Sequence, residues 1–244
     1  MTSKPTAWLR LFRVVNLPTV PGDILAGAAL WPCFAGCGPI WRQVAAAAAA
    51  GVFFYMFGLA DNDIVGAKTD RGRPIPDGDI SLGAARAARF ACLLAAMGVA
   101  LAAGLPGLWW TAAFALLVAI VLYNRTKWSV LMGLSRALNL VCGVAGAGTL
   151  FSMDAALLAG PVLVAASVWL LYIWGVTKYS EGEEADPARK RRVGVLVGAI
   201  VWLQLIATLL PAVRLCCFTF ALAQLAMIML LFALKRLLPK VSAS

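Results

Sequence analysis

Apolar segments of about 20 residues, the length that a helix needs to cross a bilayer, recur along almost the whole of this chain. Hydrophobic residues make up 62% of its 244 residues, whereas soluble domains contain about 45–50%. The sequence therefore predicts an all-α fold, a polytopic transmembrane helical bundle made by a single domain over residues 1–244. Eight spans are predicted, at residues 14–36, 42–62, 80–104, 108–124, 129–152, 155–179, 193–212 and 214–238.

The basic residues indicate how these spans are oriented. The side that holds both termini carries 18 of the 21 Lys and Arg residues, whereas Arg42 and Arg214 lie on the other side and Arg136 lies within a span. Cytoplasmic loops carry such an excess. We therefore predict an integral protein of the cell inner membrane, surrounded by membrane lipid, with both termini and the acidic loops in the cytoplasm. Topology accounts for the net charge of +10 without a nucleic acid partner.

The sequence has no histidine, which removes every Ser-His-Asp or Cys-His catalytic scheme. A metal ion would need oxygen ligands, which suit Mg²⁺ better than zinc. The six cysteines lie mostly in apolar segments, where a buried cysteine behaves as a small hydrophobe. Whether Cys33 and Cys37 form a disulfide bond stays an open question.

Nine of the 11 acidic residues fall in two loops on the predicted cytoplasmic side, one after the second span and one after the sixth. If the second helix continues through residue 70, then Asn62, Gly66 and Asp70 share one face, with Asp63 beside them. Carboxylates near hydrocarbon need a counter-charge, and Mg²⁺ commonly bridges one or two carboxylates to substrate phosphates. Two interpretations stay open, namely a metal–diphosphate site and a solvated loop.

The stretch "NDIVGAKTDRGRPIPDG", residues 62–78, resembles the first aspartate-rich motif of the UbiA-type intramembrane prenyltransferases. Asn62, Asp63 and Asp70 match the first, second and last polar positions of that motif, and "RPIP" matches its tail. There are two departures. Gly66 stands where the family has an aspartate, which Asp61 or Asp63 would replace in another register, and the segment between Asp70 and the tail is about one turn shorter.

This resemblance implies a bundle of eight to nine spans around a central cavity. It also implies Mg²⁺-dependent transfer of an isoprenyl group from a polyprenyl diphosphate to a small-molecule acceptor, aromatic or other. Catalysis would fall to Asp63, Asp70 and Tyr123. The residues expected to bind the diphosphate are Lys68, Arg71, Arg73, Lys127 and Lys178. The metal ligands implied in the first motif are Asn62, Asp63 and Asp70.

Further segments support the resemblance. "YNRTK", residues 123–127, resembles the family's Tyr-x-x-x-Lys segment, which would put Tyr123 near the reacting carbon and Lys127 on the diphosphate. The alternative is an interfacial tyrosine followed by a topology signal. Asn16, in the first span, matches an asparagine near the family's substrate pocket.

"SRALN", residues 135–139, places Arg136 and Asn139 on one helical face. An arginine inside a span is costly and marks a functional site or a buried pair. We expect both residues to face the cavity and bind substrate. The alternative is a structural pair between Arg136 and Asp23.

The second acidic loop is a weaker match. Glu181 and Glu183 resemble the end of the family's second aspartate-rich motif and would ligate metal, but the upstream aspartates are missing. Lys178 would then supply charge in place of a second metal ion. "GVTKYSEGE" and "SRALN" are similar to divergent, EboC-like members. A solvated acidic-basic loop is the alternative.

Two further functions stay open. The departures at Gly66 and in the second motif favour a divergent UbiA-like protein that binds or translocates a lipid or isoprenoid-like metabolite. The prolines of the first span favour an unrelated transporter with a broken helix. No residue pattern specifies the acceptor.

Overall fold

The computed structural model describes residues 4–35, 41–70, 72–147, 155–181, 186–209 and 218–238. These ranges contain α-helices and a short 3-10 turn, Val14–Asn16, and no strand. The α-helices are α1 Lys4–Leu11, α2 Thr19–Ala35, α3 Trp41–Val65, α4 Leu82–Ala103, α5 Gly107–Thr126, α6 Ser129–Ala147, α7 Ala155–Ser180, α8 Pro187–Leu209 and α9 Phe218–Leu237.

The predicted all-α bundle is confirmed. Within the described ranges, seven helices, which belong to α3 through α9, are long and apolar enough to cross a membrane. The first predicted span differs, because Arg13 adopts a left-handed backbone with φ 42° and the chain passes through the 3-10 turn before α2 begins. The short helix α1, which was not predicted, lies before this break. Arg71, Glu183 and Cys37 lie outside the described residues.

The bundle is apolar on its surface and holds a few polar side chains in a largely apolar interior. Large side chains such as Phe90, Phe114 and Met229 are more than half exposed on its surface, where lipid tails would cover them. Asp23 and Gln204 are completely buried in its interior. A bilayer provides no water to satisfy polar groups, so such side chains must find partners within the protein.

Glycines allow α2 and α6 to cross closely. An added Cβ atom would lie 2.0 Å from the Leu140 carbonyl oxygen at Gly27, and 2.1 Å from the Ile24 carbonyl oxygen at Gly143. Small residues at helix crossings let backbones approach in this way in membrane proteins. The crossing holds Asp23 of α2 against the inward face of α6.

The loop that carries the first acidic group begins within a few residues of the predicted end of the second span, residue 62. The helix α3 ends at Val65 rather than continuing through residue 70, and a turn follows. The Asp70 amide still donates to the Gly66 carbonyl at 2.9 Å, which returns Asp70 over the end of α3. The loop then reaches α4, whose N-cap is Ser81. We call this end of the bundle, where α3 and α5 finish and α4 and α6 start, the motif end.

Candidate functional site

A cavity of about 490 Å³ lies between α2, α3, α5 and α6. It is lined at the motif end by Asn62 and at its inner end by Gly51. These two positions on α3 are about 16 Å apart at the helical rise of about 1.5 Å per residue. The cavity is therefore deep enough to hold a polar group at the motif end and a chain inside the bundle.

The structure brings together seven of the residues singled out from the sequence. These cavity-lining residues are Asn62, Asp70, Arg73, Tyr123, Lys127, Arg136 and Asn139. Others do not line it: Asn16 is half-buried beside the 3-10 turn, and Lys68 and Lys178 are exposed. Asp63 lines a smaller neighbouring pocket together with Arg13 and Arg73.

The carboxylates of the motif are held by arginine. The Arg73 guanidinium lies with Nη1 2.8 Å from Asp63 Oδ1 and with Nε 3.4 Å from Asp70 Oδ2. The Asp63 side chain is nearly buried, whereas the Arg73 side chain is 32% exposed. The two carboxylates therefore share one cation, and that cation also lines the cavity.

The space left by Gly66 is filled by Asp70. A Cβ atom at Gly66 would lie 2.5 Å from Asp70 Oδ2, so no side chain fits there unless Asp70 moves. Asp61 does not replace the missing carboxylate either. It is buried, and it accepts hydrogen bonds from Arg89 at 2.7 Å and Asn124 at 2.9 Å. Asp61 thus ties α3 to α4 and α5.

Lys127 caps the end of α5 and lies at the mouth of the cavity. Its ammonium donates a hydrogen bond to Asn62 Oδ1 and lies 5.8 Å from the centre of the Tyr123 ring. Partial burial lowers the pKa of Lys127 below its ordinary value, while the nearby Asp70 carboxylate opposes that shift. Lys127 therefore loses its charge more readily than a lysine in water.

Glu181, the described glutamate of the second acidic loop, pairs with Lys178 and not with this cluster. The Lys178 ammonium lies 2.7 Å from Glu181 Oε2, and both side chains are more than half exposed. Only Ser180 from this part of α7 lines the cavity. Among the residues that the structure describes, no three His, Cys, Asp or Glu side chains are grouped as a metal site. Of the predicted metal ligands that the structure describes, Glu181 thus lies apart from Asn62, Asp63 and Asp70.

Sequence reasoning missed Arg13, Tyr55 and Ser180, all of which line the cavity. Arg13 had been interpreted as a topology signal. In the described ranges, Arg13 and Lys127 are the two non-glycine residues with positive φ, at 42° and 57°. Such backbone conformations cost about 1–3 kcal/mol and cluster at functional sites. The αL conformation of Arg13 belongs to the break before α2. The prolines of the first span indicate a broken helix, but they do not indicate that Arg13 lines the cavity.

One wall of the cavity is tied to a buried carboxylate. Asp23, with no exposed surface, accepts hydrogen bonds from Trp169 at 2.9 Å, Gln204 at 2.7 Å and Asn139 at 3.3 Å. Arg136 Nε lies 3.0 Å from its Oδ2 atom. The two interpretations of Arg136 are therefore compatible, because it lines the cavity and also pairs with Asp23.

The charges and walls of the cavity define what it can bind. Among the described residues that line it, four are cationic, and Asp70 is acidic. The cations Arg13, Arg73 and Lys127 gather at the motif end. Apolar side chains of α3 and α5, including Phe54 and Ile120, line the interior. This arrangement suits a molecule with an anionic head and an apolar chain.

Comparisons with known proteins agree with this architecture. A structure of a digeranylgeranylglyceryl phosphate synthase superimposes with a TM-score of 0.59 at 18% identity, over 98% of this chain and 92% of that one. A UbiA homologue from Archaeoglobus fulgidus bound to GPP and Mg²⁺ gives 0.59 at 15% identity, over 98% and 100%. The same homologue bound to DMAPP and Mg²⁺ gives 0.57 at 15%, over 94% and 87%.

No protein-family model matches the sequence, and no curated protein matches it at a significant level. The likeness is therefore one of architecture. It extends over nearly the whole of both chains for the first two structures. The chain has the fold of the UbiA-type intramembrane prenyltransferases.

Proposed function

We propose that this protein is an integral-membrane prenyltransferase that transfers an isoprenyl group from a polyprenyl diphosphate to a small-molecule acceptor. One observation carries the proposal: a single cavity joins a cationic end to an apolar interior. A polyprenyl diphosphate has the same two parts. The fold, which is that of solved prenyltransferases, supports the same conclusion.

The cationic end would bind the diphosphate. Arg13 and Arg73 offer planar guanidinium groups, which match phosphate oxygens with paired hydrogen bonds. Lys127 adds a point charge at the cavity mouth. Phosphate oxygens would draw Arg73 away from Asp63 and Asp70, because both interactions use the same guanidinium.

The apolar interior would hold the isoprenyl chain. Phe54, Leu116 and Ile120 present hydrocarbon along the cavity, and Gly58 leaves room for the side chain of Ile120. Exclusion of water protects a reactive carbocation from hydrolysis. The chain's own helices thus provide the dry surroundings that prenyl transfer needs.

The reaction breaks the bond between C1 of the isoprenyl group and the diphosphate oxygen, and the electron pair leaves with the diphosphate. The cations at the motif end stabilise the charge that develops on the leaving group. The Tyr123 ring faces the resulting allylic cation, an interaction that contributes about 0.5–2 kcal/mol. A nucleophilic atom of the acceptor then bonds to C1, and the proton it loses passes to the released diphosphate or to water.

Mg²⁺ belongs to this proposal because the UbiA homologue structures hold it with GPP and DMAPP. When bound, it would neutralise the diphosphate. Asn62, Asp63 and Asp70 would hold it, since Mg²⁺ usually takes one or two carboxylates together with substrate phosphates. Two carboxylates and an amide oxygen are the donor types that suit one such ion, and Arg73 and Lys127, which hold these oxygens, would have to release them. Glu181, which pairs with Lys178, would stay outside this set.

We further propose that the motif end faces the cytoplasm of a cell whose inner membrane holds the protein. The excess of Lys and Arg on that side supports this orientation. A polyprenyl diphosphate would then enter with its head group at the cytoplasmic surface and its chain in the bundle.

Release of labelled diphosphate from geranyl diphosphate, with Mg²⁺ and the purified protein, tests the function. Asp63→Asn and Asp70→Asn should reduce release by about 100-fold or more, because each removes charge that orients Arg73 or binds Mg²⁺. Asp77→Asn is the matched control: it lies in the same loop, and asparagine can still accept the hydrogen bond from the Gly72 amide. Equal losses in all three variants would contradict the assignment.

A second function is favoured by Gly66 and by the pairing of Arg73 with both carboxylates. In that case the protein binds or translocates a lipid or isoprenoid-like metabolite without transferring it. The same assay distinguishes the two, because this function predicts that geranyl diphosphate binds and diphosphate is never released.

A further inference from the structure

The inner end of the cavity is closed where three helices meet. The cavity runs along α3 from Asn62 at the motif end, past Phe54, to Gly51. A Cβ atom on Gly51 would lie 3.0 Å from Asn139 Oδ1 of α6 and 3.6 Å from Ile24 Cδ1 of α2. Ile24 has no exposed surface, and Asn139 is 4% exposed. We call this meeting of Gly51, Ile24 and Asn139 the floor of the cavity.

Small residues keep the same helices in contact below the floor. One turn further along α6, a Cβ atom on Gly143 would lie 2.1 Å from the Ile24 carbonyl oxygen. A Cβ atom on Gly146 would lie 2.9 Å from Ala47 Cβ of α3. Ala47 and Ala50 have no exposed surface. The floor therefore rests on closely packed core.

Phe54 is the bulkiest apolar side chain among the described residues that line the cavity. It is 4% exposed, and its ring lies against that of Trp109, with centroids 6.3 Å apart and an interplanar angle of 29°. Trp109 is 1% exposed and belongs to the core rather than to the lining. The Phe54 ring thus stands between the cavity and the core around Trp109.

Leu116 of α5 is level with Phe54. Both helices run toward the motif end, and they touch where a Cβ atom on Gly58 would lie 2.9 Å from Ile120 Cγ2. Phe54 lies one turn before Gly58, and Leu116 lies one turn before Ile120. Phe54 and Leu116 therefore narrow the cavity at the same depth.

This depth limits the length of a bound chain. Phe54 is about 12 Å from Asn62 along α3, at the helical rise of about 1.5 Å per residue. Lys127 donates to Asn62, so the cations that would hold a diphosphate lie at that level. An extended chain advances about 3.3–3.6 Å over three bonds, so the four-bond repeat of an isoprene unit spans about 5 Å. Two units therefore reach Phe54, and a third would have to pass it.

The volume of the cavity gives the same limit. Its 490 Å³ correspond to about 16 groups of the size of a water molecule in the liquid, at about 30 Å³ each. A diphosphate with two isoprene units already has about that many non-hydrogen atoms, and each further unit adds about five. The acceptor must also reach the same cavity.

We propose that the inner end of this cavity selects the prenyl donor by length: it admits diphosphates of one or two isoprene units, and the Phe54 ring excludes a third. This inference rests on the proposed function, since it names the class of donor for the same cavity. Phe54 acts through its bulk, as a specificity-determining residue, and it takes no part in breaking the bond to the diphosphate.

Binding of a series of donor analogues to the full chain in detergent, with Mg²⁺, tests the inference without turnover. The reference is methylenediphosphonate, which has no chain. The other members are the dimethylallyl, geranyl, farnesyl and geranylgeranyl thiolodiphosphates, whose C–S bond resists ionisation. Affinity should rise about tenfold or more from the dimethylallyl to the geranyl analogue, because a further isoprene unit is buried. It should then fall about fivefold or more for the farnesyl analogue.

A farnesyl or geranylgeranyl analogue that binds as tightly as the geranyl analogue overturns the inference. In that case the chain would leave the cavity between helices rather than end at the floor.

Removal of the Phe54 ring should lengthen the preferred chain. The ring is about as large as one isoprene unit, so Phe54→Ala should raise the affinity for the farnesyl analogue relative to the geranyl analogue by about tenfold. Phe57→Ala is the matched control, because Phe57 is also a buried ring of α3 but does not line the cavity. Partition of long chains into detergent is the same for all proteins and cancels from this comparison. An unchanged ratio in Phe54→Ala, or an equal rise in Phe57→Ala, contradicts the role of Phe54.

Addition of bulk at the same depth should have the opposite effect. Leu116→Phe should lower the affinity for the geranyl analogue about tenfold while sparing the dimethylallyl analogue. If Phe54→Ala does not fold, the milder Phe54→Leu and the wild-type series still decide the outcome.

The proposed function and this inference fail in different ways. If the protein shows the expected length preference but releases no diphosphate from geranyl diphosphate, the proposed transfer is wrong and the selection by length stands. If it releases diphosphate equally fast from geranyl and geranylgeranyl diphosphates, the transfer stands and the selection by length is wrong.

Discussion

Two arginine–carboxylate groups lie against the same cavity, and they differ in how firmly each arginine is held. Arg73 spans Asp63 and Asp70 at the motif end, where its side chain is 32% exposed. Arg136 pairs with Asp23, which is fully buried and accepts three further hydrogen bonds. An exposed pair can exchange partners at little cost, whereas a buried one cannot. Arg73 is thus free to turn to a substrate, and Arg136 is fixed as part of the wall.

Removal of one carboxylate from each arginine–carboxylate group should give the largest difference in the free energy of unfolding. Asp23→Ala leaves a buried, unpaired arginine, which should lower the free energy of unfolding by about 3–5 kcal/mol. Asp63→Ala should cost much less, about 1 kcal/mol, because Arg73 keeps Asp70 and reaches water. Reversible denaturation in detergent measures both. Equal losses would show that the two arginines are held alike.

Loss of the arginine at the motif end should affect function more than stability. Arg73→Gln should lower diphosphate release by about 100-fold, as expected for removal of a preorganised charge from a leaving group. Arg89→Gln is a matched control, because Arg89 pairs with Asp61 and does not line the cavity. Its loss should change the melting temperature while leaving the release rate within about threefold of wild type. If Arg73→Gln instead lowered the melting temperature and left the release rate unchanged, the role of Arg73 would be structural.

The fixed group also depends on the crossing of α2 and α6. Gly27→Ala places a methyl group against the Leu140 carbonyl, and overpacking of this kind costs about 1–3 kcal/mol. It should disturb the Asp23 network and spare diphosphate binding at the motif end. Gly98→Ala, where nothing lies within 4 Å of the added methyl, is the control and should be neutral or stabilising. The free energy of unfolding and the affinity for methylenediphosphonate are measured on both variants. Only the free energy of unfolding of Gly27→Ala should fall.

The smallest expected effect is a pH dependence from Lys127. Burial lowers the pKa of its ammonium below the ordinary 10.5. Its charge is present below that lowered pKa and is lost as pH rises through it, so diphosphate binding should weaken at a pH below 10.5. Lys127→Arg should flatten this decline, because arginine stays charged. Titration of methylenediphosphonate affinity from neutral to alkaline pH measures it. An equal decline in the wild type and in Lys127→Arg would show that a group other than Lys127 causes the pH dependence.

Hydrophobic length alone predicts most of the fold, because a helix in lipid must satisfy its own backbone over the whole apolar segment. The prediction fails where a short feature interrupts that rule. The chain leaves the helical path at Arg13, because the backbone there follows a turn rather than hydropathy. The short helix α1 was missed for the same reason. The end of α3 at Val65, by contrast, lies close to the predicted end of the second span at residue 62.

The residue types of the site could be predicted, but not their partners. Asn62 belongs to α3, whereas Tyr123 and Lys127 lie at the end of α5, and the resemblance to a known motif anticipated that they would line one cavity. Which carboxylate Arg73 would hold depends on the turn after Val65. Arg13 was missed, because a single basic residue before a span resembles a topology signal.

The most direct test of the central claim uses geranyl diphosphate labelled in its diphosphate group, incubated with the purified full chain in detergent, with Mg²⁺ and with a panel of small aromatic and non-aromatic acceptors. Transfer predicts that labelled diphosphate is released in step with a geranylated product detected by mass spectrometry, and that both are lost in Arg73→Gln. Saturable binding of intact geranyl diphosphate with neither release nor product would contradict it, and would show that the cavity binds an isoprenoid without transferring it.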